Sequence, residues 1–267
     1  MHNRSVLNRA ALEVVDTHAQ ALAITGNDPW VRWSLPLDPP PRMWRSEHAL
    51  VTERQGGRRH SLTVIPLPGA PDPEAAVETA IAQAVARDLI GELGVLGVSV
   101  PQPYIGALER QLPVGAGGDW EWMWTLDEPE PLPAEARLVQ LDDGADATEI
   151  AEFSAEHSPT AEGEPGTGLT DLWLGIRDAH GGMIAVGAMQ RLPSSVPYLA
   201  GIVTHTAHRG RGLGAAVTAG LTRAGLADSG VCALSMYSDN PIARRTYEKL
   251  GYRTAWAWAS RMLQPRG

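Results

Sequence analysis

The segment HTAHRGRGLGAAV, residues 205–217, places two arginines and three glycines in six consecutive positions, just ahead of an apolar, alanine-rich run. Leu213, Ala216, Val217, Gly220, Leu221 and Ala224 recur at spacings of three and four, which predicts a helix. A helix start leaves four backbone N–H groups without partners and carries a partial positive charge. Glycines ahead of it permit positive φ and let the backbone close around a bulky anion. Arg209 and Arg211 add positive charge at the rim. The plainer alternative is a glycine-rich connection between strand and helix with two solvated arginines.

Three ligand classes compete for such a turn. A phosphate-cradling P-loop requires lysine followed by serine or threonine, and neither is present. Gly210, Gly212 and Ala215 meet the G-x-G-x-x-A spacing of dinucleotide binders. That fingerprint also expects a parallel βαβ unit and an acid at the end of the next strand. Asp228 comes too early and Asp239 too late, and the hairpin-connected strands leading into the turn read as antiparallel. The third class is coenzyme A, with its pyrophosphate on the turn.

The surrounding pattern is a run of short strands and helices. Residues 172–178 and 183–192 read as a hairpin, PSSVPYLAGIVTH as a strand ending near His205, and CALSMY (232–237) as a further strand. A helix is predicted from Asp146 to His157, and another behind Asn240, with Pro241 in its first turn and Gly251 at its end. TAWAWASRML closes as a strand. The first half repeats the order more faintly: a helix over ALEVVDTHAQALAIT, a hairpin around GGRR, a helix with Val77, Ile81, Val85 and Leu89 on one stripe, then strand, helix and the strand WEWMWTL. TLDEPEPLPAEARL (125–138) separates the halves, since its prolines bar a central strand or a helix interior.

Here the second half, about residues 136–265, resembles the GCN5-related N-acetyltransferases. Their motif A, Gln or Arg, two residues, Gly, one residue, Gly or Ala, is met by Arg209, Gly212 and Gly214. About 30 residues on, Asn240, Ala243 and Tyr247 in NPIARRTYEKLGY match a second motif of that family. The resemblance implies an α/β (α+β) fold with a mixed, mostly antiparallel sheet flanked by helices, splayed between LAGIVTH and CALSMY. It divides the chain into a catalytic domain at 136–267 and an N-terminal α/β domain at 1–130. That first domain reads as a degenerate copy without the anion turn (a tandem arrangement) that packs on the catalytic domain and helps form the acceptor pocket; an unrelated α/β lid is the alternative.

The same resemblance implies acetyl-CoA as co-substrate, no metal, and a primary amine as acceptor. Backbone groups at Val203 and Thr204 are expected to pair with the pantetheine arm. The N–H groups of Arg209, Gly210, Arg211, Gly212, Leu213, Gly214 and Ala215 are expected to hold the pyrophosphate, with Asn240 as a further contact or only a helix cap. Tyr247 is the expected general acid. Where many relatives carry a glutamate or histidine base on the fourth strand, this chain has Ala200 and Tyr198. His205 is a substitute or a plain turn histidine, and Glu162, Glu164 and Asp171 fall where the acceptor-binding loop is expected. The rival function is a non-catalytic acyl-CoA-binding regulator.

Composition sets outer limits. Of 267 residues, 43 % are hydrophobic and 20 % charged, an ordinary globular balance. A formal net charge of −9 argues against broad phosphate contacts with nucleic acid. No apolar run approaches the ~20 residues that span a bilayer. Glu13, Asp16 and His18 interrupt any apolar signal core, so a cytoplasmic location with no membrane partner is expected. Cys232 is the only cysteine, which excludes an internal disulfide and reads as a small buried strand residue. Homodimerisation is left open.

Overall fold

The computed structural model describes residues 12–54 and 60–264. The chain divides into two units, one comprising Met1–Trp120 with Ala257–Gly267, the other Glu121–Trp256.

In the first unit β1 (Glu13–Val15) is followed by α1 (His18–Ile24) and α2 (Pro29–Ser34). Then come β2 (Met43–Arg45), β3 (Ala49–Arg54), β4 (Ser61–Pro66), α3 (Pro73–Ala86), α4 (Leu89–Leu93), β5 (Gly97–Pro101) and α5 (Ile105–Gln111). β6 (Val114–Thr125) carries the chain into the second unit, and β12 (Arg253–Leu263) returns it. The strand order is β1-β2-β3-β4-β5-β12. β4 and β5 run parallel, from Ser61↔Gly97 to Thr63↔Ser99, whereas β12 meets β5 antiparallel, Ser260 opposite Ser99. Val77, Ala80, Ile81 and Ala84 of α3 enter the core beside Val64 and Val98. The helix expected over ALEVVDTHAQALAIT is corrected at its start. Thr17 forms a capping box with Gln20, so α1 begins at His18 and leaves Val14 and Val15 to pair with β2. The β3–β4 hairpin forms as expected, Arg54 opposite Ser61; its GGRR turn lies outside the described residues.

The second unit repeats the order. β7 (Leu138–Leu141) precedes α6 (Ala147–His157), β8 (Thr170–Arg177), β9 (Met183–Arg191) and β10 (Pro197–Thr204). α7 (Leu213–Ser229), β11 (Cys232–Tyr237) and α8 (Pro241–Lys249) follow. The strand order is β6-β11-β10-β9-β8-β7, antiparallel from β7 through β10. α7 lays Leu213, Ala216, Val217 and Leu221 on a core with Ile184, Leu199 and Leu234, as the spacing of three and four predicts. TLDEPEPLPAEARL forms only a short 3-10 turn, Pro133–Arg137, before β7. The sheet is mixed and mostly antiparallel, with helices packed on it, and both halves follow one strand–helix plan.

One stability prediction arises at β6. A Cβ on Gly117 would lie 1.8 Å from the Ser260 carbonyl oxygen and 2.9 Å from Arg261 Cα, and both obstacles are backbone. No rotamer change relieves that overlap, so Gly117→Ala should cost ~3 kcal/mol of stability. Urea unfolding of the variant against wild type measures it; an unchanged midpoint would show that β6 and β12 separate freely here.

Candidate functional site

The site begins where two parallel strands part. β10 and β11 are in register only at Tyr198↔Ala233 and Leu199↔Leu234. Beyond those pairs β10 runs on to Thr204 and β11 to Tyr237 with no further rung between them. On its other edge β10 shifts register against β9 between Ala200 and Val203, at a bulge where Gly201 takes φ +59. Bulges bend and twist a strand, and this one bends β10 where the gap opens. Val203 is buried and Thr204 half-buried on the strand that borders the gap.

The hairpin-connected strands leading into the turn, β8 to β9 and β9 to β10, are antiparallel as read. β10 itself pairs parallel with β11 across α7, a βαβ unit, so strand direction alone does not reject a dinucleotide site. The misplaced acids remain: Asp228 lies within α7, ion-paired to Arg191 at 2.8 Å.

After Thr204 the chain makes a 3-10 turn, Thr206–His208, and then the glycine turn. Gly210 and Gly212 both take φ +76, and a Cβ on either would meet nothing within 4 Å. Internal packing therefore does not fill the space above them. Gly212 is the N-cap of α7 and offers no side-chain acceptor, and the first helical bond runs from the Ala216 N–H to its carbonyl. The N–H groups of Leu213, Gly214 and Ala215 thus precede the first intrahelical donor. In the first unit, α3 opens differently. Asp72 caps it by accepting from the Ala75 N–H at 3.0 Å, and Glu74 stands in its first turn. One helix start is closed by the protein's own carboxylate; the other has no side-chain cap and open space at its glycine.

The two arginines divide their work. Arg209 donates from Nη2 to the His157 carbonyl at 2.6 Å and from Nε to the Thr204 carbonyl at 3.3 Å. Its side chain staples the turn to α6 and β10, so the rim charge expected from it is engaged internally. Arg211 is exposed and makes no hydrogen bond or ion pair among the described residues.

α8 has no fully buried residue. Asn240 caps it, its Oδ1 accepting from the Ala243 N–H at 3.0 Å, and the side chain is exposed. Tyr247 is half-buried among α7 and β11 side chains, its ring 6.1 Å from that of Tyr252. Burial, with the charge of Tyr198 on β10 adding to it, pushes its phenol up to about 12. A second anchor went unread in the sequence. Glu121 on β6 is buried, accepts from Arg244 of α8, and accepts from Thr254 Oγ1 at 2.9 Å. Its signal was the alternation in WEWMWT, which sets Glu121, Met123 and Thr125 on the face opposite the tryptophans.

The acceptor-side residues do not converge as expected. His205 Nδ1 accepts from the Ala207 N–H at 3.1 Å, so the neutral ring carries its proton on Nε2 and has no free lone pair. That corrects its reading as a substitute base. Its ring centroid lies 4.1 Å from that of buried His157, tilted by 48°, and 5.1 Å from that of His208, edge-on. Asp171 lies at the start of β8, two residues past the loop it was assigned to, where Arg191 holds it at 2.6 Å. Glu162 and Glu164 are exposed on that loop, and Glu162 follows the strand bulge, its carbonyl oxygen 3.6 Å from a Cβ position on Gly201. Cys232 is buried, and burial raises its thiol to about 11, as suits an inert strand residue. Among the described residues no cluster of His, Cys, Asp or Glu could hold a metal, and no helix is long and apolar enough to cross a membrane.

Residues 173–261 match the family model described as FR47-like protein. No curated protein matches the sequence. Among solved structures, a GCN5-related N-acetyltransferase from Sphaerobacter thermophilus aligns with a TM-score of 0.59 at 14 % identity, covering 97 % of each chain. A GNAT-family acetyltransferase from Colwellia psychrerythraea aligns at 0.53 and 13 % identity over 96 % of this chain and 100 % of its own. One from Kribbella flavida aligns at 0.51 and 16 % over 93 % and 96 %. The chain has the fold of the GCN5-related N-acetyltransferases (GNAT), and its residues 173–261 are similar to the FR47-like family model.

Proposed function

We propose that this protein transfers the acetyl group of acetyl-CoA to a primary amine, by direct attack within a ternary complex. The observation that carries this reading is the open, uncapped start of α7 beside the gap between β10 and β11. The N–H groups from Arg209 to Ala215 hold the pyrophosphate, with Arg211 at the rim, and the free edge of β10 at Val203 and Thr204 holds the pantetheine amides. Acetyl-CoA, when bound, supplies an acyl group activated as a thioester. Over the reaction an N–C bond forms, the C–S bond breaks, and the amine gives up a proton. Tyr247, protonated at neutral pH, donates its phenolic proton to the departing sulfur, and the phenolate left behind, a strong base, takes a proton back from water. Asn240 and the Glu121–Arg244 pair hold the helix that presents it.

An alkylamine with pKa near ~10.4 costs about 4–5 kcal/mol to deprotonate at neutral pH. Ala200 and Tyr198 offer no ready base and His205 is spent on its cap, so the amine proton leaves to water. The missing base is the one feature that favours the other reading, an acyl-CoA binder without turnover. Calorimetry with CoA and acetyl-CoA, then thiol release across alkylamines, polyamines, aminoglycosides, arylamines and peptide N-termini, decides. Binding with thiol release is expected. Binding without release from any of these moves the assignment to the regulator, and no heat with either ligand overturns both.

A further inference from the structure

The turn between β7 and α6 contains an acid that the reaction above does not use. Asp143 accepts three N–H bonds: from Trp173 Nε1 at 2.7 Å, Gly168 N–H at 2.9 Å and Gly166 N–H at 3.1 Å. Gly166 and Gly168 both take positive φ, +79 and +73, which turns their N–H groups toward one carboxylate. These bonds hold the carboxyl below the usual carboxylate range, the indole bond contributing most. Asp143 is therefore ionised at neutral pH and pins both the loop 158–169 and the indole beneath it.

Trp173 is buried, and its far edge supports the same loop a second time. A Cβ on Gly163 would lie 3.1 Å from Trp173 Cη2 and 3.7 Å from Gly201 Cα. A Cβ on Gly201 would lie 3.2 Å from Gly163 Cα. Loop and strand thus touch backbone to backbone at two glycines, at the bulge where β10 bends away from its ladder. Exposed Glu162 and Glu164 flank that contact.

Resting on the acetyl-transfer reading, we propose that Asp143 is a positioning residue for the amine. Through Trp173 it fixes the height of the loop over Gly201, and with it the place of Glu162 and Glu164 beside the gap. It touches neither the CoA turn nor Tyr247. Loosening it displaces the acceptor side of the site and leaves the cofactor side in place.

The test uses the full chain and the amine turned over fastest in the panel above. Asp143→Ala should raise the amine KM about tenfold, since small misplacements of a binding element cost that much or more. The acetyl-CoA Kd should stay within a factor of about two, because the α7 start is untouched. Trp173→Phe keeps an aromatic side chain but deletes both the Nε1–H donor and the Cη2 edge beside Gly163, so it should also raise the amine KM even if Asp143→Ala folds poorly. Amide exchange of residues 160–169 should quicken in both variants. Faster exchange with an unchanged amine KM, or equal losses of amine and acetyl-CoA affinity, would overturn the proposal. Failure of wild type to bind acetyl-CoA or release thiol is a separate result and strikes the acetyl-transfer reading itself.

Discussion

Replacing Tyr247 by Phe should lower kcat about a hundredfold while acetyl-CoA affinity stays within a factor of about two, since positioned general acids contribute 10²–10⁴. The substitution removes one oxygen from a ring that already packs among apolar side chains, so α8 keeps its seat. Asn240 and the Glu121–Arg244 pair, which do not involve the phenol, continue to hold the helix. The pH profile adds an independent check. With the phenol raised to about 12, Tyr247 remains a proton donor throughout the neutral and moderately alkaline range. Thus kcat should show no falling limb from this residue below about pH 11, while the limb rising with pH reports the amine losing its proton. Steady-state kinetics from pH 6 to 10 with calorimetry on the variant measure both. A variant that loses acetyl-CoA affinity and kcat in equal proportion would make Tyr247 a wall of the binding site and leave the thiolate to be protonated by water.

The glycine turn and the uncapped helix behind it were legible in the sequence because their signals are local. Two glycines, a helix stripe and an uncapped start lie within a dozen consecutive residues, and Asn240–Pro241 announces α8 by the same kind of signal. What the sequence hid depends on partners far along the chain. β1 and β7 are three and four residues long, too short for alternation to register, and exist through pairing with β2 and β8. The direction of β10 against β11 is set by the crossover through α7, which periodicity does not encode. Asp171 looked like a loop acid and proved to be a strand-end partner of Arg191, twenty residues away. Glu121 lay inside an aromatic run whose partners, Arg244 and Thr254, come more than a hundred residues later.

The contrast between the two helix starts yields the prediction with the sharpest sign. Gly212→Asp should weaken CoA and acetyl-CoA binding about a hundredfold or more, roughly 2.7 kcal/mol, while leaving thermal stability unchanged or slightly lower. The substituted side chain has room, since a Cβ at Gly212 meets nothing within 4 Å. Its φ of +76 is unfavourable for most residues, but Asp is among those that visit this region, at a cost of ~1–2 kcal/mol. A carboxylate at a helix N-cap recovers about 1 kcal/mol by accepting from N–H groups of the first turn, as Asp72 does at α3. Those terms nearly offset, so the fold is kept. Binding loses on two counts: the carboxylate takes donors the diphosphate needs, and it sets a negative charge against an anion at the positive end of the helix. Gly212→Ala separates the two effects, because it carries the backbone strain without the charge and should cost less affinity. Differential scanning calorimetry and CoA titration on both variants supply the numbers. If Gly212→Asp binds CoA as wild type does, the diphosphate sits elsewhere, and the open start of α7 is a feature of the turn alone.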